Sequence, residues 1–388
     1  MHLGIVRFKY TLFGGAERLI ERLISQQARS GGIKQVSIFS SEWSKQDSLE
    51  LTKLRDLNIR LNFVNIACSR AGRFLRHRDF LRKASIAIQE AESLDVIQSH
   101  ERLPGCDIFR AGDGVHAAWL ERLAAQRGWI AGKALRADPF HRLLCQAERG
   151  MANDPRIVFV ANSPLCRQEL QSYLGVPDRR IALIPNSINL SSWRRISPDA
   201  ASKYASRKSL GLAPDKPTVL FVGSGFERKG LRPLIEAVGL LTDVQLLVVG
   251  KDKSIARYQR YADMRAKGRV KFSGPIPETR MAYAAADIFA LPSLYDSFSN
   301  AALEALASGL PCILTRDVGL ASFPESSEAV ALCSRDPDSI REALEHCLKN
   351  LNTMSLAAEA SARSFSDDRI FHLWRDLYAK VTEAKAAR

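Results

Sequence analysis

The seven cysteines of this 388-residue chain lie at 68, 106, 145, 166, 312, 333 and 347, and no two of them form a C-x-x-C pair. An odd, scattered set argues against a disulfide framework and against a cysteine-ligated metal site. It fits reduced thiols in the cytosol. Long apolar runs are missing too. No stretch approaches the roughly 20 residues of a membrane-spanning helix. Residues 1–10 hold an apolar run too short for a signal-peptide core, interrupted by basic residues, and are expected to form a strand. Fixed-period repeats and low-complexity tracts are absent. Acidic residues are in deficit: 42 Asp and Glu face 56 Lys and Arg, a net charge of +14. Such a surplus suits nucleic acid, an anionic membrane surface or an anionic substrate. The chain has no helix-turn-helix spacing, zinc knuckle or RNP-like aromatic strand, so nucleic acid is set aside. A soluble or peripheral protein with an anionic partner is the expectation.

What is present is alternation. Short apolar runs at 3–8, 35–39, 60–66, 96–98, 157–161 and 181–184 are followed by a second series at 218–222, 244–249, 270–272, 288–291, 312–314 and 329–332. Helix-period segments separate nearly all of them. This pattern predicts parallel sheets with helices on both faces. Two series in a chain this long predict two doubly wound α/β domains, each with its ligand end at the carboxyl ends of the strands. The boundary is placed at 185/186, before a polar, basic linker that runs to Pro217. The domains are 1–185 and 186–365, with a last helix over 366–388.

The most informative stretch is 296–304. It reads as a strand end, a loop bearing Asp296, and a helix bearing Glu304 on the turn after its start. Ala302, Leu303 and Leu306 mark the buried face of that helix. Gly309 and Pro311 end it. A loop entering a helix directs backbone N–H groups and a positive dipole at a bound anion. Ser299 and Asn300 are placed to present such amides to phosphate. An anion bracketed by two carboxylates suggests a sugar nucleotide, whose phosphates take the amides and whose hydroxyls take the carboxylates.

A second motif, 223–230, follows a strand and precedes a helix. Gly223 and Gly225 allow close backbone approach to phosphate. Arg228 offers a planar fork and Lys229 a mobile point charge. Together they would neutralise a departing diphosphate. Gly14 and Gly15 open a helix over 16–27. Asp113, in a Gly-rich turn, either caps the next segment or orients an acceptor hydroxyl; His116 reads as a satisfied surface histidine. Residues 115–151 interleave Trp119, Trp129, Ile130 and several Leu with Arg122, Arg127, Lys133, Arg136, Arg142 and Arg149. That mixture suits a membrane interface, or else a pair of core-packed helices with basic outer faces. A further basic cluster spans 70–78. Asp336-Pro337-Asp338 spells a metal-type Asp-x-Asp, but it reads as a helix cap followed by a first-turn proline.

The 296–304 segment resembles the two-carboxylate motif of the retaining glycosyltransferases of family 4. The loops at 223–230 and 9–15 are similar to that family's donor phosphate loop and N-terminal glycine loop. Residues 103–113 resemble the lipopolysaccharide core glucosyltransferase I branch in particular. The resemblance implies a GT-B fold, two Rossmann-like domains facing across a cleft, with the acceptor on the N-terminal domain and the nucleotide sugar on the C-terminal one, the last helix completing the first domain. It implies transfer of a hexose, glucose from UDP-glucose, to an inner-core heptose, without metal or other cofactor. Gly15, Gly223, Arg228, Lys229, Ser299, Asn300 and Glu304 would bind the donor, Glu304 through the ribose hydroxyls. Asp296 would hold the transferred sugar and Asp113 would serve the acceptor. Asp296 departs from the commoner Glu, which leaves its contact open. The branch also implies a peripheral protein on the cytoplasmic face of the inner membrane. The alternatives are another nucleotide sugar, another glycolipid or polysaccharide acceptor, a UDP-sugar 2-epimerase, or a non-catalytic binder that uses only the charge.

Overall fold

The structure, a computed structural model, describes residues 1–10, 15–29, 31–43, 59–91, 93–193 and 200–387. The chain forms two compact units, Met1–Asn186 with Asp368–Arg388, and Ser187–Asp367. The sequence reading had put the boundary one residue earlier, at 185/186.

In the first unit the strands are β1 (His2–Val6), β2 (Lys9–Tyr10), β3 (Gln35–Ser40), β4 (Glu42–Trp43), β5 (Arg60–Asn65), β6 (Val96–Ser99), β7 (Ile108–Arg110), β8 (Val158–Ala161) and β9 (Ile181–Leu183). Seven of them make one sheet in the order β5-β3-β1-β6-β7-β8-β9, and every pairing is parallel. β2 and β4 form a separate two-stranded pair. The helices are α1 (Gly15–Arg29), α2 (Arg73–Glu90), α3 (His116–Arg127), α4 (Trp129–Ala137), α5 (Pro139–Asn153) and α6 (Pro164–Leu174).

Alternation along each strand sorts the side chains between two faces. Leu3 and Ile5 of β1 pack with Ile20, Leu23 and Ile24 of α1 and with Ile370, Phe371 and Trp374 of the C-terminal helix. Val6 points to the other face, where Phe39 meets Phe80, Leu81, Ala84 and Ile88 of α2. Further along that face, Phe109 and Phe159 pack on Ala118 of α3, Met151 of α5 and Cys166 and Leu170 of α6. Helices on both faces explain why the central strands are apolar in both directions. β7 is not among the expected strands. It is three residues long and lies just after Pro104 and Gly105, so its run is too short to stand out, yet it is hydrogen-bonded between β6 and β8.

In the second unit the strands are β10 (Thr218–Val222), β11 (Gln245–Val249), β12 (Val270–Gly274), β13 (Ile288–Leu291), β14 (Cys312–Thr315) and β15 (Val330–Cys333), in the order β12-β11-β10-β13-β14-β15. All are parallel. Helices α7 (Leu190–Trp193), α8 (Ala200–Ser209), α9 (Leu231–Gly239), α10 (Ile255–Arg265), α11 (Arg280–Ala285), α12 (Asn300–Ala307), α13 (Pro337–Lys349) and α14 (Leu351–Arg363) accompany them, and α15 (Asp367–Ala386) ends the chain. The strand order reverses between β10 and β13. In an open parallel sheet that switch point leaves a crevice at the carboxyl ends of the two strands. The corresponding reversal in the first unit lies between β1 and β6.

Candidate functional site

Two loops leave the switch point of the second unit, and they carry the residues that the sequence singled out. After β10 the chain turns at Gly223, whose N–H donates to the Val249 carbonyl at 2.9 Å. Gly223 has φ +155°, and a Cβ there would strike the Lys229 stem at 2.5 Å. Glycine at 223 therefore makes room for the lysine as much as for a ligand. Residues 226–230 form turns, closed by Lys229 N–H to the Gly225 carbonyl and Leu231 N–H to that of Phe226. Asp252 Oδ2 accepts the Phe226 N–H at 2.8 Å and steadies the loop from β11's side. As expected, the motif leads directly into a helix: α9 begins at Leu231, behind Gly230 at φ +77°. A side chain at 230 would overlap the Pro292 carbonyl, so this glycine is required by close approach of the second loop.

That second loop follows β13. Asp296 makes a parallel bridge with Val318, its N–H donating to the Asp317 carbonyl at 3.0 Å and its carbonyl accepting from Gly319 N–H at 2.8 Å. Lys229 is largely buried, and its Nζ lies 3.3 Å from Asp296 Oδ2. Arg228 Nη1 donates to the Tyr295 carbonyl at 2.7 Å, and the Arg228 carbonyl accepts from Leu294 N–H at 2.7 Å. The two expected donor cations thus meet the loop that carries the first expected carboxylate.

Ser299 is the N-cap of α12, its Oγ accepting the Ala302 N–H. Its φ is +78°, one of two positive values outside glycine among the described residues. Such a backbone costs about 1–3 kcal/mol and tends to collect at ligand sites. Glu304 lies one turn on. The buried Tyr283 hydroxyl is 2.9 Å from Glu304 Oε2 and 3.1 Å from the Ala301 carbonyl. Having one proton, it donates to one of them at a time. The Tyr283 ring lies edge-on to Trp193 at 5.2 Å.

Tyr283 and Arg335 are site residues that sequence reasoning missed. Arg335 donates to the Pro292 carbonyl at 3.1 Å and the Glu227 carbonyl at 2.8 Å, tying the two loops together. Burial pulls its guanidinium below the usual arginine range, offset by Glu227. Neither residue belongs to a local motif; each acts across the fold. Asp336, beside Arg335, is the N-cap of α13, with Pro337 in the first turn and the Asp336 side chain accepting the Ser339 N–H. Among the described residues there is no grouping of three or more His, Cys, Asp or Glu that could hold a metal ion.

In the first unit Gly15 is the first residue of α1, and Gly14 lies outside the described residues. Asp113 is exposed in the turn before α3. It is not a cap: the N-cap of α3 is Val115, without a side-chain bond. The buried Glu148 instead accepts the His116 N–H at 2.9 Å and pairs with Arg102 at 2.8 Å. Near Asp113 stand groups the sequence did not mark. Glu101 accepts the Phe8 N–H at 3.0 Å and faces Arg7 at 3.6 Å; burial raises its carboxyl, against the pull of Arg7. Arg110 bonds the Asn186 side chain, and burial lowers its guanidinium to about 10.

His116 is buried, contrary to the expectation of a surface histidine. Its Nε2 shares a 3.0 Å hydrogen bond with His141 Nδ1. Burial first, then Arg102 and His141, hold it down at about 3. The 115–151 segment forms three helices, α3 to α5. Trp129 and Ile130 on α4 are 73% and 78% exposed, unusual for such residues, and Lys133 Nζ sits 4.0 Å from the Trp129 ring centre. Arg127, Lys133 and Arg136 are exposed. Arg122 is not: it turns to Glu169 at 2.9 Å. In the other basic cluster Arg73 pairs with Asp138 and lies over the Phe140 ring at 4.9 Å.

Two parallel doubly wound units, one with a glycine loop and two carboxylates at its switch point, define a GT-B protein. Solved structures share that fold. A crystal structure of WaaG, a glycosyltransferase involved in lipopolysaccharide biosynthesis, superposes with a TM-score of 0.78 at 19% identity, covering 98% of this chain and 99% of that one. Anabaena HepE in complex with UDP-glucose gives 0.69 at 15%, covering all of both chains. Residues 13–192 match the family model Glycosyltransferase Family 4, and residues 216–350 match Glycosyl transferases group 1. The chain therefore has the GT-B fold of glycosyltransferase family 4 and group 1.

Its relatives carry varied names. It is 28% identical to a D-inositol 3-phosphate glycosyltransferase of Xylanimonas cellulosilytica, over 65% of this chain and 63% of that one. It is 36% identical to the lipopolysaccharide core biosynthesis glycosyltransferase LpsE of Rhizobium meliloti, over 31% and 36%. It is 22% identical to the lipopolysaccharide glucosyltransferase WaaG of Escherichia coli, over 99% and 97%. The chain thus spans less than two thirds of the first two.

Proposed function

We propose that the chain is a retaining, metal-independent glycosyltransferase that moves glucose from UDP-glucose onto a heptose of the lipopolysaccharide inner core. The observation that carries this reading is the meeting of Arg228 and Lys229 with the Asp296 loop at the switch point of the second unit. A nucleoside diphosphate seated at this crevice takes the place of Asp296 as the counter-charge of Lys229. Arg228 keeps further N–H groups for phosphate oxygens. As the glycosidic bond to the diphosphate breaks, negative charge grows on the leaving oxygen, and the two cations stabilise it. Asp296, released from Lys229, is left to accept hydrogen bonds from the transferred sugar. Glu304, steadied by Tyr283, takes the ribose hydroxyls. Gly15, Gly223, Ser299 and Asn300 contribute backbone to the donor, and Asp113 orients the acceptor hydroxyl. Retention follows same-face attack, a reading that rests on the family likeness.

The lipopolysaccharide acceptor is supported by the full-length likeness to WaaG, and the UDP-sugar by the HepE complex. The exposed Trp129 and Ile130 beside three basic residues support a peripheral place on the inner face of the inner membrane. A second reading, transfer to a phosphorylated polyol, is favoured by the name of the Xylanimonas relative and draws on the same positive charge. The test is slow hydrolysis of a panel of nucleotide sugars by the purified protein, followed by heptose-terminated core and inositol phosphate as acceptors. UDP-glucose is expected to be cleaved fastest, and core oligosaccharide to speed the release of UDP. Conversion of the donor to its 2-epimer, or turnover with inositol phosphate alone, would overturn the assignment.

A further inference from the structure

A cleft of about 430 Å³ opens on the first unit between α3, the end of α4, α5 and α6, apart from the switch-point residues. Ala117 and Leu120 line it on the α3 side. Arg136, Arg142 and Arg149 also line it, and none of these guanidinium groups has a carboxylate partner among the described residues. The one acidic lining residue, Glu121, is engaged: it accepts the Tyr173 hydroxyl at 2.5 Å. That bond, with burial, pushes the Tyr173 phenol up to about 12, so it stays protonated. His141 is also in the lining, buried, with Nδ1 already bonded to His116. Three unpaired arginines around a concave, partly apolar pocket form a site for an anion. Guanidinium forks match phosphate oxygens, and a void of this size lies in the range of small-ligand pockets.

We propose that this cleft binds a phosphate group carried on a diacylglycerol stem, the polar end of an anionic phospholipid, with Arg136, Arg142 and Arg149 on the phosphate and Ala117 and Leu120 under the stem. The inference does not depend on the donor or acceptor chemistry. It also differs from general attraction to a charged membrane, because it requires a saturable site for a lipid that is free in solution.

Cys145 provides a reporter. It lines the cleft and is half-buried, as is Cys68 elsewhere in the unit, while the other five cysteines are buried. Alkylation of the full-length protein by iodoacetamide, followed by peptide mass spectrometry, reads each thiol separately. Dihexanoyl phosphatidic acid, used as a monomer, is expected to slow Cys145 at least fivefold, saturably, and to leave Cys68 unchanged. The Arg142→Gln/Arg149→Gln variant is expected to lose this protection, read as the ratio of its own Cys145 rates with and without lipid, because Arg149 itself favours the Cys145 thiolate. Equal protection by dihexanoyl phosphatidylcholine would show that charge is irrelevant, and equal protection by inorganic phosphate that the stem is. Either result, or no protection, overturns the proposal. Failure of UDP-sugar cleavage would leave this result untouched, which separates the two readings.

Discussion

At the scale of single residues, the crevice proposed for the donor is held by a few exact contacts. The 3.3 Å pair of Lys229 with Asp296 shows that the aspartate, one methylene shorter than the commoner glutamate, still reaches the cation. The Asp296 backbone is clamped to 317–319, so the shorter side chain starts close to the lysine and needs no extra methylene to reach it. Asp296 and Glu304 then differ in what they touch. Asp296→Ala is expected to lower turnover at least a hundredfold while changing affinity for free UDP little. Glu304→Ala should weaken UDP by about 1–3 kcal/mol, the range for a lost hydrogen bond to a charged group. Calorimetry with UDP and steady-state rates for both variants checks this; an equal loss of UDP affinity would mean the roles are divided wrongly. Gly230 makes a purely steric prediction. A Cβ there overlaps the Pro292 carbonyl, and φ is +77°. Gly230→Ala should therefore destabilise the second unit by about 1–3 kcal/mol or more, read as a lowered urea midpoint. Much of this crevice was legible in the sequence, because glycine loops and the 296–304 motif are local. Tyr283 and Arg335 were not legible, since each acts on a loop distant in sequence.

At the scale of elements, α3 and α5 meet through buried imidazoles. His116, held at about 3, and His77 of α2, held at about 4 chiefly by burial, stay neutral when folded. An unfolded histidine titrates near 6.5. Above that pH neither state binds the proton. As pH falls from about 6.5 towards 4, the unfolded chain takes up protons that the folded chain refuses, so stability is lost through that window. Unfolding of the first unit in urea should show a midpoint that drops between pH 7 and pH 4.5. His116→Gln should flatten the drop; an unchanged slope would remove this histidine as its source. Burial of this kind is invisible in sequence, where His116 passed for a surface residue. The amphipathic mixture of 115–151 was visible, but not its division: Arg122 turns inward to Glu169, while α4 presents Trp129 and Ile130 outward. Binding to anionic vesicles is therefore expected to fall severalfold in Trp129→Ser/Ile130→Ser, to weaken with salt, and to be unaffected by Arg122→Gln wherever that variant folds. Sedimentation with vesicles measures all three.

At the scale of the whole molecule, the alternation of apolar runs gave away both sheets, because strands buried on two faces must be apolar throughout. It could not reveal β7, whose three residues gain their place only from β6 and β8 on either side. The two units also differ in how the chain builds them. The second is one unbroken segment, Ser187–Asp367, whereas the first needs Met1–Asn186 and the chain's last residues together. Trp374, fully buried, sits in the same cluster as Leu3, Ile5 and Ile24. Removing such a side chain typically costs about 3–5 kcal/mol, a large share of a domain's stability. Trp374→Ala should therefore lower the unfolding midpoint of the first unit, and a chain ending at Asp367 should lose that unit's cooperative transition altogether. Of the proposed donor residues, Gly223, Arg228, Lys229, Ser299, Asn300 and Glu304 lie in the second unit and Gly15 alone in the first. UDP affinity of the Trp374→Ala protein should then stay within about threefold of wild type, a difference of less than 1 kcal/mol. Saturating UDP should raise the second unit's midpoint in both proteins, since a ligand at 100 times its Kd adds about 2.7 kcal/mol to the state that binds it. Calorimetric titration and urea unfolding of the two proteins decide the matter. If UDP affinity falls together with the first unit's stability, the first unit contributes more to the nucleotide's site than the Gly15 backbone proposed above.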